Sequence, residues 1–337
     1  MVNFDKIIKN GRKKMERLSG RAGNDYCSGM MSLPGLGWAG SGVSYTRNKK
    51  MFENYQIKSQ IIGDNFTPDT TSFLFGFDLS APIMVAPMSG IKSNLNGFIS
   101  EKVFLKMILT SCSKCGMIGM CGDSFDTTQN YDVPELLSQN DGIAVCKPRS
   151  FDEIKKRIML LKKVHVKVIG IDLDGIGGVF LSNEKKVFRK NAKELKEIRL
   201  LYHGPMFLKG ILSLNDAQIA HDCGYDGVVV SNHGGRSFDY AAAPLSVLSQ
   251  IAKTFKGKMT ILVDGGISNG FETFICLALG ADGVLIGREA VYAVVGGGRP
   301  GLISLLRKMQ NELVKAMLFS NCRKISDISQ KCIENYV

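Results

Sequence analysis

The stretch Asp226–Arg236, DGVVVSNHGGR, decides how this chain is read. Val228, Val229 and Val230 run together, so Asp226–Ser231 reads as a short strand buried on both faces, as in a parallel sheet. Where that strand ends, Asn232, His233, Gly234, Gly235 and Arg236 follow at once. The adjacent glycines let the backbone turn sharply and leave His233 and Arg236 facing one space. An imidazole that takes a proton, beside a planar cation that grips a carboxylate, suits chemistry on a small acid. A plain strand end with a capping histidine would use the same residues, so the surroundings decide.

Outward from this strand the same rhythm repeats. Apolar runs at Pro82–Ala86, Gly116–Cys121, Gly142–Cys146, Lys167–Asp172 and Pro205–Lys209 precede it, and Thr260–Asp264 and Asp282–Gly287 follow. Helical patterns separate them over Ser100–Ser113, Phe151–Lys163, Leu214–Cys223 (with Asn215 as the expected N-cap) and Phe271–Leu279. Eight short strands alternating with helices predict an α/β fold, a (β/α)8 TIM barrel, over a doubly wound sheet. The barrel is expected over residues 81–337 with a C-terminal helical tail. Residues 1–80 are read as an extension packing on it: a helix over Asp5–Arg17, then a glycine-rich loop from Gly20 to Gly42. Trp38, the only tryptophan, sits in that loop, either to close over something flat or to pack on the barrel.

In such barrels the active groups gather where strands end. Those ends carry Pro87-Met88-Ser89, Cys121-Gly122-Asp123, Asp172 and Asp174, Lys209, Ser231–Arg236, Asp264-Gly265-Gly266 and Gly287-Arg288. So dense a polar set from several strands predicts an enzyme. The last two ends have the look of a phosphate cradle, with glycine N–H groups, a helix start and a fixed cation. Lys209 at the fifth strand end calls for an anionic partner, and a Schiff-base role would leave His233 and Arg236 without work.

Composition narrows the class further. The chain has 337 residues, 45% hydrophobic and 22% charged, with a net charge of +12. The lysines are dispersed and lack aromatic interleaving, which predicts no nucleic-acid partner. No apolar run nears the roughly 20 residues of a membrane span, and Met1–Asn10 lacks a signal-peptide core, so a cytoplasmic protein without membrane association is expected. The nine cysteines form no regular framework. Cys112, Cys115 and Cys121 are spaced C-x2-C-x5-C without an evident fourth ligand, so they read as apolar packing and no metal is expected.

FLKGILSLNDAQIAHDCGYDGVVVSNHGGRSFDYAAAPLSVL and ILVDGGISNGFETFICLALGADGVLIGR together resemble the FMN-dependent α-hydroxy acid oxidase/dehydrogenase family, which includes glycolate and lactate oxidases. The resemblance is strongest over Pro205 to about Ile333 and looser over Phe73–Gly122. It implies FMN as cofactor and oxidation of a small L-2-hydroxy acid to the 2-oxo acid, with oxygen or another acceptor taking the electrons, often in a homo-oligomer such as a tetramer. It implies His233 as the base, Asp174 as its carboxylate partner, Arg236 as the substrate-carboxylate clamp, and Lys209 as the cation beside the flavin. Ser231, Pro87, Met88 and Ser89 would line the flavin ring, and Asp264, Gly265, Gly266, Gly287 and Arg288 its ribityl and phosphate groups.

The chain departs from that pattern in four places. Ser268 stands where the family has an arginine, the third strand lacks the family's glutamine and tyrosine, and Asp172 replaces a threonine. The N-terminal substrate tyrosine has no clear match, although Tyr26, Trp38 and Tyr45 are near in sequence. An ionised Asp172 would oppose negative charge on the ring, so it is expected to be protonated, paired or turned away. Two alternatives remain at this level. One is a non-redox FMN barrel similar to type 2 isopentenyl diphosphate isomerase; the other is a flavin-binding chain with little turnover.

Overall fold

The computed structural model describes residues 4–19, 37–91, 95, 97–124, 131–178 and 187–336. At its centre are eight parallel strands: β1 (Ile83–Met88), β2 (Ile118–Gly122), β3 (Ile143–Cys146), β4 (Ile169–Asp172), β5 (Met206–Ile211), β6 (Gly227–Val230), β7 (Thr260–Val263) and β8 (Gly283–Ile286). They pair in sequence order, and β8 pairs with β1 to close the barrel. Side chains alternate along each strand. In β1, Ile83 and Val85 pack under the helices, whereas Met84 and Ala86 fill the barrel. Ile118, Ile143, Phe207, Val229, Leu262 and Leu285 join that interior. Both faces are apolar, which is why these strands read as unbroken hydrophobic runs.

One end of the barrel is stoppered. Strands Ser72–Leu74 and Phe77–Leu79 form an antiparallel hairpin, and Phe75 at its turn stacks on Phe207 with ring centroids 5.7 Å apart. A Cβ added at Gly227, the first residue of β6, would lie 2.6 Å from the Phe75 ring. The hairpin therefore fills the N-terminal end with apolar side chains, and the polar residues collect at the C-terminal mouth.

Several expected boundaries move for local reasons. Asp226 and Asp282 lie before their strands rather than in them. Their carboxylates accept the backbone N–H of Met206 and of Ile261, each at 2.8 Å, tying strand starts together. β1 runs past Ala86 to Met88, with a register shift where Pro87 cannot donate to the ladder. The helix Leu214–Asp222 is capped by Ser213, not Asn215. Ser213 is extended, and its Oγ accepts the Asp216 N–H at 3.0 Å, so Asn215 is already inside the first turn.

The chain ends wrap the barrel. Helix Phe4–Ser19 lies on the long helix Arg288–Phe319, which is broken at Gly298. Gly11 makes that approach feasible, since a Cβ there would sit 2.1 Å from the Tyr292 carbonyl oxygen. Strand Tyr55–Ile57 pairs antiparallel with Ile333–Asn335 near the C-terminus. Tyr26 and most of the Gly20–Gly42 stretch lie outside the described residues. Cys112 and Cys121 sit fully buried in the core, and burial pushes the Cys121 thiol up to about 12, as inert apolar packing requires. Among the described residues no helix is long and apolar enough to cross a membrane.

Candidate active site

The ends of β4, β6 and β7 converge on Lys209 of β5. It is the fourth residue of β5, its side chain is almost wholly buried, and register places it beside Asp172 of β4 and Val229 of β6. Its Nζ donates to Ser231 Oγ at 3.1 Å. Around it stand Asp172 Oδ1 at 3.3 Å, Asp264 Oδ2 at 3.5 Å and Asp174 Oδ1 at 3.7 Å. Burial alone would lower the Lys209 ammonium; the three carboxylates outweigh it and hold the lysine above its usual range. Burial acts upward on Asp172, but Lys147, Lys209 and His233 together keep its carboxyl well below the usual range.

His233 completes the group. Its Nδ1 lies 3.1 Å from Asp174 Oδ1 and 3.5 Å from Lys209 Nζ. Asp174 accepts a second hydrogen bond, from Ser237 Oγ at 3.1 Å. With Nδ1–H directed at a carboxylate, Nε2 is the nitrogen left to take a proton. The backbone is bent to make this placement: His233, Gly234 and Gly235 have φ of 56°, 65° and 79°. A histidine in the left-handed region is uncommon outside functional turns. The turn is fixed by His233 N donating to Ser231 Oγ at 3.0 Å and by Gly235 N donating to Asn232 Oδ1 at 3.0 Å.

Asp172, Asp174 and His233 have ligand atoms within 4.8 Å of one another, a spacing a metal ion could use. The Lys209 ammonium already stands among them, so the cluster carries its own cation.

The other half of the mouth is cationic. Burial and the neighbouring Arg288 push the Arg236 guanidinium down to about 9, and burial lowers Arg288 as well. Two buried like charges side by side are relieved by an anionic ligand. Arg288 donates to the Gly37 carbonyl at 2.8 Å and lies over the Tyr45 ring, 4.6 Å from its centroid. Gly265 and Gly266 have φ of 98° and 89°, and at Gly287 an added Cβ would meet nothing within 4 Å. Asp264 Oδ1 is buried without a hydrogen-bond partner, an acceptor awaiting a hydroxyl or N–H. These features fit FMN. Asp264 and the Gly265-Gly266 turn suit the ribityl chain, Gly287 and Arg288 the phosphate, and Lys209 with Ser231 the ring. Pro87, Met88 and Ser89 lie at the end of β1, next to this space.

Not every expected strand-end group faces the mouth. Asp123 is turned into a buried network in which Arg149 Nε donates to Oδ2 at 2.7 Å and Arg157 Nε at 3.0 Å, so it anchors β2 to β3. Ser268 gives its N–H and hydroxyl to Glu272, which leaves it a turn residue. Trp38 is half exposed and stacks on Tyr45 with centroids 5.6 Å apart, while Ala39 N donates to the Gly235 carbonyl at 2.9 Å.

Two groups were missed by reading the sequence. Lys147, just after β3, places its Nζ 2.5 Å from Asp172 Oδ2. This meets the expectation that Asp172 be protonated, paired or turned away, by pairing it. Asn48, in the helix Val43–Lys50, exchanges reciprocal amide hydrogen bonds with Asn232 at 2.7 and 2.8 Å, both residues being buried. Asn48→Ala removes one hydrogen bond from each end of the Asn232 amide, which keeps the Ala242 carbonyl and the Gly235 N–H as partners, and is expected to cost about 1–3 kcal/mol. Denaturant titration checks this, and an unchanged midpoint would mean that the loop does not depend on the pair.

Comparison with known proteins agrees with this geometry. The family model described as FMN-dependent dehydrogenase matches residues 36–177 and 182–335. A peroxisomal (S)-2-hydroxyacid oxidase of Arabidopsis thaliana is 27% identical over 316 residues, 84% of this chain and 86% of its own length. An L-lactate dehydrogenase of Xanthobacter autotrophicus is 46% identical over 138 residues, 41% of this chain and 36% of its own. A mandelate oxidase structure with 3,3-difluoro-2-hydroxy-3-phenylpropionic acid superposes with a TM-score of 0.79 at 22% identity, covering 100% of both chains. Its likeness is one of fold. With the family model covering the barrel and its lysine, histidine and glycine-turn strand ends, this chain belongs to the FMN-dependent dehydrogenase family.

Proposed function

We propose that the protein oxidises a small L-2-hydroxy acid, of the lactate or glycolate kind, to the 2-oxo acid. The observation that carries this reading is the His233–Asp174 contact at 3.1 Å, with Lys209 beside it and Arg236 in the same loop. Arg236 holds the substrate carboxylate in bidentate fashion, which fixes the carbon bearing the hydroxyl relative to His233. His233 Nε2 accepts a proton from the substrate, and Asp174 stabilises the imidazolium and keeps the ring oriented. Bound FMN supplies the two-electron acceptor. Lys209, held by three carboxylates, keeps a fixed positive charge where negative charge develops. A diphosphate substrate has no use for a base adjacent to a carboxylate clamp, which disfavours an isomerase of that kind.

The relatives' names support a 2-hydroxy acid. The electron acceptor is proposed as oxygen or another oxidant. We take the protein as cytoplasmic and homo-oligomeric, a tetramer being one form to test by sedimentation; the eight described cysteines are all free, which suits a reducing compartment. The function is tested by incubating the FMN-loaded protein with L- and D-lactate, glycolate and longer 2-hydroxy acids, with oxygen or a dye as acceptor. Formation of a 2-oxo acid from one L-enantiomer is expected. Turnover of none, by a protein that holds FMN, would count against it.

A further inference from the structure

Lys147 and Asp172 form a buried ion pair at the ends of neighbouring strands, and the reaction described above does not use it. Taken alone, such a pair adds little stability, since apolar side chains of similar volume commonly serve as well or better. Its placement carries more meaning. Asp172 Oδ2 is held by Lys147 at 2.5 Å, which aims Oδ1 at the reactive cluster. Oδ1 lies 3.3 Å from Lys209 Nζ and 3.7 Å from His233 Nδ1, yet makes no hydrogen bond to either. Its action on both is through charge.

The formal charges around His233 come from every strand end that packs on it. β4 and the turn after it bring Asp172 and Asp174, β5 brings Lys209, and β7 brings Asp264 through Lys209. Arg236 is in the same loop. Arg288 approaches Gly234 from the helix after β8, close enough that an added Cβ would meet it at 2.7 Å. Behind Lys147, Asp123 takes its backbone N–H at 3.2 Å and is itself matched by Arg149 and Arg157. The two arginines lie on the other half of the mouth. Among the described residues the cluster itself holds two lysines and three aspartates, one negative charge in excess, which a single proton on His233 cancels. Without Lys147 the excess would be two.

We propose that Lys147 is a positioning residue for the oxidation: by holding Asp172 it sets the orientation and the net charge of the carboxylate that faces His233 and Lys209. This rests on the reading of His233 as the base. Lys147→Met gives Asp172 its full effect on His233, so the imidazole keeps its proton to higher pH. The acidic limb of the kcat/KM profile then moves up by about one to two pH units. Asp172→Asn moves the limb the other way, Lys147→Arg leaves it in place, and the Lys147→Met/Asp172→Asn double variant returns it near the wild-type position.

The same shifts are read without turnover. The chain has four histidines, so NMR of histidine-labelled, FMN-loaded protein resolves His233 by comparison with His233→Asn. Opposite displacements in the two single variants, cancelling in the double one, are the expected result. A limb and a His233 titration that stay put, or that move the same way in both single variants, overturn the proposal. If Lys147→Met does not fold, Asp172→Asn and the double variant carry the same test. If the wild type oxidises no hydroxy acid, the NMR titration still decides the charge coupling, while the functional reading fails separately.

Discussion

Replacing His233 by asparagine is expected to lower kcat/KM by about a hundred- to ten-thousand-fold, the usual worth of a positioned acid–base group. The fold should survive the change. Position 233 has φ of 56°, and asparagine is among the residues that best tolerate that region. The turn itself is held by Ser231, Asn232 and Gly235 rather than by the imidazole. FMN affinity is therefore expected to stay near wild type while the chemical step collapses. Equilibrium binding of FMN beside steady-state rates separates the two. A variant with nearly full activity would remove His233 from the chemistry and return weight to a flavin-binding chain with little turnover.

Lys209→Met is expected to damage both stability and function. It leaves Asp172, Asp174 and Asp264 around a missing cation, and breaking a buried ion pair from one side costs about 3–5 kcal/mol. The pH dependence gives the cause away. In the wild type the Asp172 carboxyl is held below its unfolded value, so its contribution is present above about pH 4 and fades as pH falls through the lower folded value. The lysine's raised value means that its own contribution is in full force below about pH 10 and fades only above. In the variant the surplus carboxylates gain by taking up protons, so its deficit should shrink toward pH 5. Denaturant titrations at pH 5 and pH 8 measure this; a deficit equal at both would mean that packing, not charge, is what Lys209 supplies.

Much of this was legible in the sequence because each barrel strand carries its own signal. Runs such as VVV at 228–230 and ILV at 261–263 are buried on both faces, and the polar residues directly after them fall at the mouth by rule. That logic brought His233, Asp174, Lys209, Ser231 and Asp264 together correctly in space. It failed where meaning depends on a partner far along the chain. Asn48 meets Asn232 across 184 positions, and nothing in SYTRNKK marks it. Lys147 follows a strand in a lysine-rich protein, so it reads as a solvated surface cation until Asp172 is seen beside it. Asp123 was placed by the same strand-end rule but is drawn aside by Arg149 and Arg157, a competition that only the packed structure reveals. The Ser213 cap was overlooked because Ser213 and Asn215 are both good caps two residues apart, and the choice lies in backbone geometry.

The most direct test is anaerobic mixing of the FMN-loaded protein with L-lactate, glycolate and longer L-2-hydroxy acids while the visible absorption of the flavin is followed. Bleaching by at least one of them is predicted for the wild type, at a rate that falls steeply in His233→Asn. A flavin that a chemical reductant bleaches but no 2-hydroxy acid does would contradict the account.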